Sequence, residues 1–381
     1  MTVAAWLAAG GVWADPEETV GAKDSGPQHT LASWQCQAGH KIETRMLTLQ
    51  NSVRKYVFQM TGCLDPSHGE QRPASEGNFG MPEPSACNWY WGGFLKVLIN
   101  GVNATAYRVV DVRVTEQGAR GSVQILWAHP DAEVGLRLVM LPGSNHVLAL
   151  LRWTPRPGAT LKDVKVQLTC YPSFFTSARA RVGERHCQTP RQDVKQSQTL
   201  TLDPAQDIYL YYYDAVFDVA AGEGSGPCGA LVDPRGVKGG KVVISTYPVQ
   251  TELDLDPAAG EMRLGLYDFT GLTNAEAEAY LKAQGAADQA RLVALDFTPL
   301  GVQKLDLPAL RAEGEKLLVA AAEDGKALQP KMKELLTRAE ALQSKAAAGD
   351  WQAQADLVAL LEGSQDMFWK LRAFAALNQP E

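Results

Sequence analysis

Apolar and polar positions alternate in short runs over residues 34–270, and beyond Gly271 the apolar spacing changes to threes and fours. The alternating runs fall at 42–49, 53–60, 94–99, 107–114, 122–127, 134–141, 147–153, 164–169, 199–202, 208–213, 241–245, 252–255 and 262–267. They are rich in β-branched and aromatic residues and predict about a dozen half-buried strands. Asn100-Gly101 is a hairpin turn signal. Tight connections such as Pro142-Gly-Ser-Asn145 and Pro155-Arg-Pro-Gly158 suit antiparallel hairpins. No long helical stretch separates the strands, so residues 25–270 are expected to form a large antiparallel β-sandwich.

Residues 271–381 read as a small helical bundle. Thr273-Asn274 caps a short helix over 275–283. Pro308 suits the first turn of a helix bearing Leu310, Leu317, Leu318 and Ala321. Met332, Leu335, Ala339 and Leu342 stripe the next helix, and Asp350 caps a third that carries Leu357, Leu360, Leu361, Phe368, Leu371 and Phe374. These stripes read as core, with a helical arm for oligomerisation as the sharper alternative.

Composition narrows the function classes. The chain has 381 residues, 45 % hydrophobic and 21 % charged, with a net charge of −7. A phosphate-binding surface needs a basic excess, so no nucleic-acid partner is expected. Residues 1–14 form an uncharged apolar run ending in the small-residue site Val12-Trp13-Ala14, which reads as an export signal although no Lys or Arg precedes it. The run is too short to span a bilayer, so no membrane span is expected. Six cysteines, at 36, 63, 87, 170, 187 and 228, lack any Cys-x-x-Cys pair, so neither a metal site nor a cofactor is expected. An even number in an exported chain favours disulfides, with Cys170–Cys187 and Cys36–Cys63 the preferred pairs.

Candidate chemistry is compositional. The segment from Cys170 to Cys187 gathers Tyr171, Phe174, Arg179, Arg181, Glu184, Arg185 and His186 at a strand end. Loops there often carry function. Arg181 and Arg185 suit an anion clamp, and His186 a proton transfer near neutral pH. Glu252 and Asp254 are the candidate carboxylate partners. Asp203, Asp233 and Asp256, each before Pro, read as turn formers. Tyr209, Tyr211 and Tyr213 share one strand face, and Tyr211 joins Tyr171, Phe174 and Tyr90 as rings that suit a sugar face. In Cys87-Asn-Trp-Tyr-Trp-Gly-Gly-Phe94, strand alternation puts Trp89 and Trp91 on a core face and Tyr90 outward. No nucleophile elbow, Walker loop, dinucleotide fingerprint or His-Glu-x-x-His occurs.

The succession Trp91-Gly-Gly-Phe-Leu-Lys-Val-Leu-Ile-Asn-Gly101, Gly121-Ser-Val-Gln-Ile-Leu-Trp127, Val147-Leu-Ala-Leu-Leu-Arg-Trp-Thr154 and Cys170-Tyr-Pro-Ser-Phe-Phe175 resembles the galactose-mutarotase-like super-sandwich domains of carbohydrate-active proteins. The resemblance implies an antiparallel super-sandwich and a carbohydrate ligand. The epimerases of that family often have a His near such a strand end, working with a Glu much later. Here Cys170 and Tyr171 stand in that place, so no catalytic residue carries over. The expected function is an exported carbohydrate-binding or carbohydrate-processing protein. The rival is a non-catalytic envelope or interaction protein.

Overall fold

The computed structural model describes residues 19–176 and 181–378. The expected export signal, residues 1–14, and Arg179 lie outside them. Two compact units divide the described chain, the break falling between Phe297 and Thr298.

The first unit holds three antiparallel sheets. The largest has nine strands in the spatial order Asp193–Lys195, Arg185–Gln188, Tyr209–Asp214, Cys228–Val232, Glu261–Asp268, His146–Pro155, Ala132–Met140, Gly121–Ala128, Val109–Glu116. The second has six, in the order Gln198–Leu202, Val237–Ile244, Val249–Leu255, Val164–Cys170, Leu95–Ile99, Val102–Asn103. The third pairs Gly21–Asp24, Lys41–Gln50, Lys55–Cys63 and Phe79–Glu83 in that order, with Gln28–Leu31 also on Lys41–Gln50. The alternation read in the sequence is the alternation of burial. Val164, Val166 and Leu168 of the six-stranded sheet enter one core with Leu210, Tyr212 and Leu264 of the nine-stranded sheet and Leu47 and Phe58 of the third. Asn100 and Gly101 both have positive φ, of 51° and 81°, as the predicted hairpin requires.

Several strands carry no alternation signal. Cys228–Val232 is central and buried throughout, Gln28–Leu31 is exposed throughout, and Phe79–Glu83 contains a proline.

The outer face of the nine-stranded sheet is covered by chain from its own unit. The helix Asn274–Ala294 starts with a capping box, Thr273 and Glu276 each accepting from the other's backbone N–H. It is longer than the stretch expected over 275–283. Its residue Gly285 lies against the Tyr209 ring, where an added Cβ would come within 3.0 Å. Tyr211 donates to Asn274 O at 2.9 Å, and Tyr267 to Asp288 at 2.7 Å. Beyond the helix, Arg137 donates to Phe297 O at 2.9 Å, so the 21-residue helix and its exit cover much of this face.

The second unit contains helices over Leu300–Gln303, Leu307–Ala320, Ala322–Gly325, Gln329–Ala347, Trp351–Gly363 and Gln365–Leu377 around their own apolar core. Asp350 caps as the sequence suggests, accepting from Ala353 N at 3.0 Å, and Asp306 also caps, accepting from Ala309 N at 2.9 Å. The third expected helix is two helices meeting at Ser364. No described helix is long and apolar enough to cross a membrane.

The disulfide expectation is corrected: all six cysteines are free thiols. Cys170 and Cys187 belong to different sheets. Cys87 instead lies 3.0 Å from Ser85 Oγ and 3.3 Å from Ser225 Oγ.

One ionic pillar holds the loop after Cys170. Arg185 and Asp214 are fully buried, 3.1 Å apart, and the guanidinium donates to the carbonyls of Pro172 and Phe174. Removing one partner of a buried pair strands the other charge. Arg185→Met is therefore expected to lower unfolding free energy in urea by about 3–5 kcal/mol, with partial recovery in the Arg185→Met, Asp214→Asn double variant. A loss below about 1 kcal/mol would contradict the pillar.

A second consequence concerns pH. Burial against Tyr267, with ring centroids 4.7 Å apart, pushes the His146 imidazole down from 6.5 to about 4 despite the nearby Asp288 carboxylate. The unfolded chain then binds more protons between pH 6.5 and about 4, so stability falls as pH drops through that window. His146→Gln is expected to flatten this part of the stability profile by up to about 3 kcal/mol, and parallel profiles would refute the assignment.

Candidate functional site

At one end of the six-stranded sheet, four connections meet. They are the loop before Lys41, the turn 84–94 before Leu95, the loop after Cys170 and the turn 245–248 before Val249. Their aromatic residues form a continuous strip. Trp34 and Trp91 have ring centroids 5.8 Å apart, Trp91 and Tyr90 6.1 Å, Tyr90 and Tyr171 5.2 Å, and Tyr171 and Tyr247 4.7 Å. Phe175 lies 5.0 Å from Tyr171 and 6.1 Å from Tyr90. Trp34 is 46 % exposed and the other five are half-buried. By contrast Trp89 and Phe94, from the same segment as Tyr90, are fully buried.

Backbone pairing fixes the strip. Tyr90 N donates to Thr169 O, Trp91 N to Ala86 O, and Tyr171 N to Cys87 O at 3.0–3.2 Å. Ser75 anchors the Trp34 loop, its hydroxyl on Trp34 O at 2.8 Å and its N–H on Gln35 O at 2.8 Å. The turn lies directly on its neighbour: a Cβ at Gly80 would stand 1.6 Å from Trp91 O, and one at Gly93 would stand 2.7 Å from Gly77 Cα. Only glycine permits this approach.

The segment is a turn, which corrects the expected alternation. Trp89 goes inward and donates to Tyr267 O at 2.8 Å, while Trp91 joins Tyr90 outside. Gln35, Thr44, Gln59, Thr61 and Glu76 line the same small groove as Trp34 and Trp91. Burial pushes the Tyr171 hydroxyl up to about 12, so it remains a protonated donor at neutral pH. Apolar ring faces beside amides, hydroxyls and one carboxylate can receive the C–H face and the hydroxyl rim of a pyranose together.

The other residues singled out in the sequence stand elsewhere. His186 lies on the outer face of the nine-stranded sheet, stacked on Tyr213 at 4.6 Å, with Nδ1 3.1 Å from Asp193. Glu252 and Asp254 lie on the outer face of the six-stranded sheet, alternating with core residues Leu253 and Leu255. The sheets face each other through the core, so His186 and these carboxylates form no pair. A hydrogen bond from Gln167, with Lys165 adding charge, holds the Glu252 carboxyl below its ordinary range, opposite to what a general acid needs. Asp254 pairs with Lys165 at 3.0 Å.

Arg185 is the buried pillar rather than an anion clamp. Arg181 is exposed and ion-paired with Glu223, its guanidinium 5.3 Å from the Phe217 ring centre. Phe174 gives its carbonyl to Arg185, while Phe175 takes the place in the strip. Tyr211 is buried beneath the helix Asn274–Ala294. Tyr90 and Tyr171 are the two predicted ligand residues that the fold brings together. Trp34, Phe175 and Tyr247 were missed, because their proximity depends on three separate connections. Asp203, Asp233 and Asp256 are turn caps, accepting from the N–H two residues on.

Other concavities among the described residues include two larger ones. One, of about 410 Å³, is lined by Arg45, Arg72, Arg108, Asp111 and Trp127. Its arginines are engaged by Asp24, Glu70 and the carbonyls of Gly69 and Gln71. The other, of about 690 Å³, lies between helices of the second unit and is lined by Leu335, Leu342, Leu360 and Met367 with Arg338 and Asp356. Among the described residues, Cys36, His40, Cys63 and His68 bring four metal-ligating atoms within 4.8 Å of one another.

No protein-family model matches the chain, and no curated protein matches it in sequence. Solved structures similar to it include an α-N-acetylgalactosaminidase from Bifidobacterium bifidum in complex with GalNAc, at 10 % identity and TM-score 0.38, covering 76 % of this chain and 42 % of that one. A glycosyl hydrolase family 38 protein from Enterococcus faecalis is similar at 8 % identity and TM-score 0.37, over 73 % of this chain and 41 % of that one. A protein assigned as an aldose 1-epimerase from Klebsiella pneumoniae is similar at 11 % identity and TM-score 0.33, over 70 % of this chain and 96 % of that one. This chain thus spans less than half the length of the two hydrolases.

Proposed function

We propose that the protein binds a carbohydrate along the strip formed by Trp34, Trp91, Tyr90, Phe175, Tyr171 and Tyr247. The observation that carries this reading is the continuity of half-exposed rings, at spacings of 4.7–6.1 Å, in a domain whose other large rings are mostly buried. Rings left against water at a rigid sheet end gain free energy only when something apolar covers them. A sugar ring does so while its hydroxyls reach the amides of Gln35 and Gln59 and the Glu76 carboxylate. Several rings in sequence suit an oligosaccharide better than a monosaccharide.

Binding rather than hydrolysis is the reading. Glycoside hydrolysis ordinarily needs two carboxyl groups flanking the bond, and the groove beside Trp34 and Trp91 is lined by Glu76 alone among the acidic side chains. Export stands as part of the proposal on the run 1–14 by itself, since the cysteines lend it no support.

Affinity electrophoresis through gels containing β-glucan, galactan, mannan or soluble chitin tests the reading. Retardation in at least one polysaccharide is expected, with Trp34→Ala and Tyr171→Ala each weakening binding about ten-fold, or about 1.4 kcal/mol. His186→Ala is expected to migrate as wild type. Absence of retardation in all four gels, or equal retardation of the strip variants, would overturn the proposal.

A further inference from the structure

The loop that carries Trp34 has little apolar anchorage of its own. Among the described residues, the buried cluster beside it is Ala32, Ile42 and Cys63, with Cys36 against them. It holds Cys36 and His40, between the strands Gln28–Leu31 and Lys41–Gln50. Cys63 ends the neighbouring strand Lys55–Cys63, and His68 ends the short turn of helix Pro66–His68 that follows. The spacing is Cys-x3-His followed by Cys-x4-His.

The distances are those of a shared centre. Cys36 Sγ stands 3.5 Å from His40 Nδ1 and 3.4 Å from His68 Nε2, and Cys63 Sγ stands 3.6 Å from His40 Nδ1. Zinc bound tetrahedrally at about 2.3 Å to sulfur and about 2.0–2.1 Å to nitrogen sets sulfur–nitrogen edges of about 3.5 Å. Hydrogen bonding does not account for the set, because His40 Nδ1 has one proton or one lone pair and faces two sulfurs. The far nitrogen of His40 lies 3.5 Å from Asp65 Oδ2. Asp65 is itself fixed by accepting from Ser67 N at 2.9 Å. A carboxylate behind a ligating imidazole sets its tautomer and orientation.

We propose that Cys36, His40, Cys63 and His68 form a structural zinc site, with Asp65 as the positioning residue for His40. Four protein ligands complete the tetrahedron and leave no open position for water, so the site is structural rather than catalytic. Binding takes Zn²⁺ with the neutral imidazoles and both thiols, and releases the two thiol protons to solvent. The metal ties the Trp34 loop to the end of the strand Lys55–Cys63, where the apolar cluster is too small to do so. The site does not depend on the carbohydrate reading.

Cobalt(II) titration of the chelator-treated, reduced full chain tests this directly. The expected result is uptake of one equivalent, with the intense visible absorption of tetrahedral cobalt and a thiolate charge-transfer band, both abolished by zinc. Cys36→Ser and Cys63→Ser are expected to lose the charge-transfer intensity stepwise. Asp65→Asn is expected to keep the stoichiometry and weaken affinity about 10–100-fold. Failure of the wild-type chain to take up one equivalent, the weak absorption of octahedral cobalt, or a Cys36–Cys63 disulfide in protein isolated without reductant would each overturn the proposal. Because the wild-type titration decides the matter, a variant that misfolds does not obscure it.

Discussion

The side chain of Asn88, fully buried where the two larger sheets come together, ties the turn 84–94 to the loop after Cys170, the two segments that carry Tyr90, Trp91, Tyr171 and Phe175. Its amide donates to Asp268 Oδ1 at 2.8 Å and Pro227 O at 3.2 Å, and its carbonyl accepts from Ser173 N at 3.0 Å. Asp268 accepts further from Thr270 N and Oγ1, at 2.9 and 2.6 Å, and burial pushes its carboxyl up. Its own N–H reaches Tyr56 Oη at 3.0 Å, which donates to Asn145 O at 2.6 Å. An unsatisfied buried polar group costs about 1–3 kcal/mol, so the turn 84–94 and the loop after Cys170 cannot slide independently. Tyr90 and Trp91 therefore arrive beside Tyr171 and Phe175 as a consequence of one amide.

The remaining supports act in the same region. Arg185 grips the carbonyls of Pro172 and Phe174 from below, and Gly80 allows Trp91 to lie on the strand Phe79–Glu83 without a clash. Rings held this firmly keep their exposure at little cost in disorder, which is the condition for a preformed binding surface. The helix Asn274–Ala294 does the opposite on the outer face of the nine-stranded sheet, covering Tyr209 and Tyr211.

How much of this was legible in the sequence follows from which interactions are local. Alternation over residues such as 164–169 marks a strand because side-chain period is a property of the backbone itself, and Asn100-Gly101 marks a hairpin for the same reason. The reading failed at Trp91, where a turn replaced the assumed strand, and no neighbouring residue type announces that Asn88 will bond to positions 173, 227 and 268. His186 and Glu252 were matched by residue type, yet sheet membership separates them. The cluster of Cys36, His40, Cys63 and His68 escaped because each half joins one cysteine to one histidine, where Cys-x-x-Cys joins like residues. Cys-x3-His and Cys-x4-His around a hairpin were the available signal.

The central claim is that ligands cover the strip and no other aromatic surface. Titrating the ¹⁵N-labelled protein with a bound oligosaccharide and following the tryptophan indole resonances tests it most directly. The account predicts shifts at the Trp34 and Trp91 indoles, with those of the buried Trp89, Trp127 and Trp153 left in place. Unmoved Trp34 and Trp91 resonances in the presence of a bound sugar would contradict it.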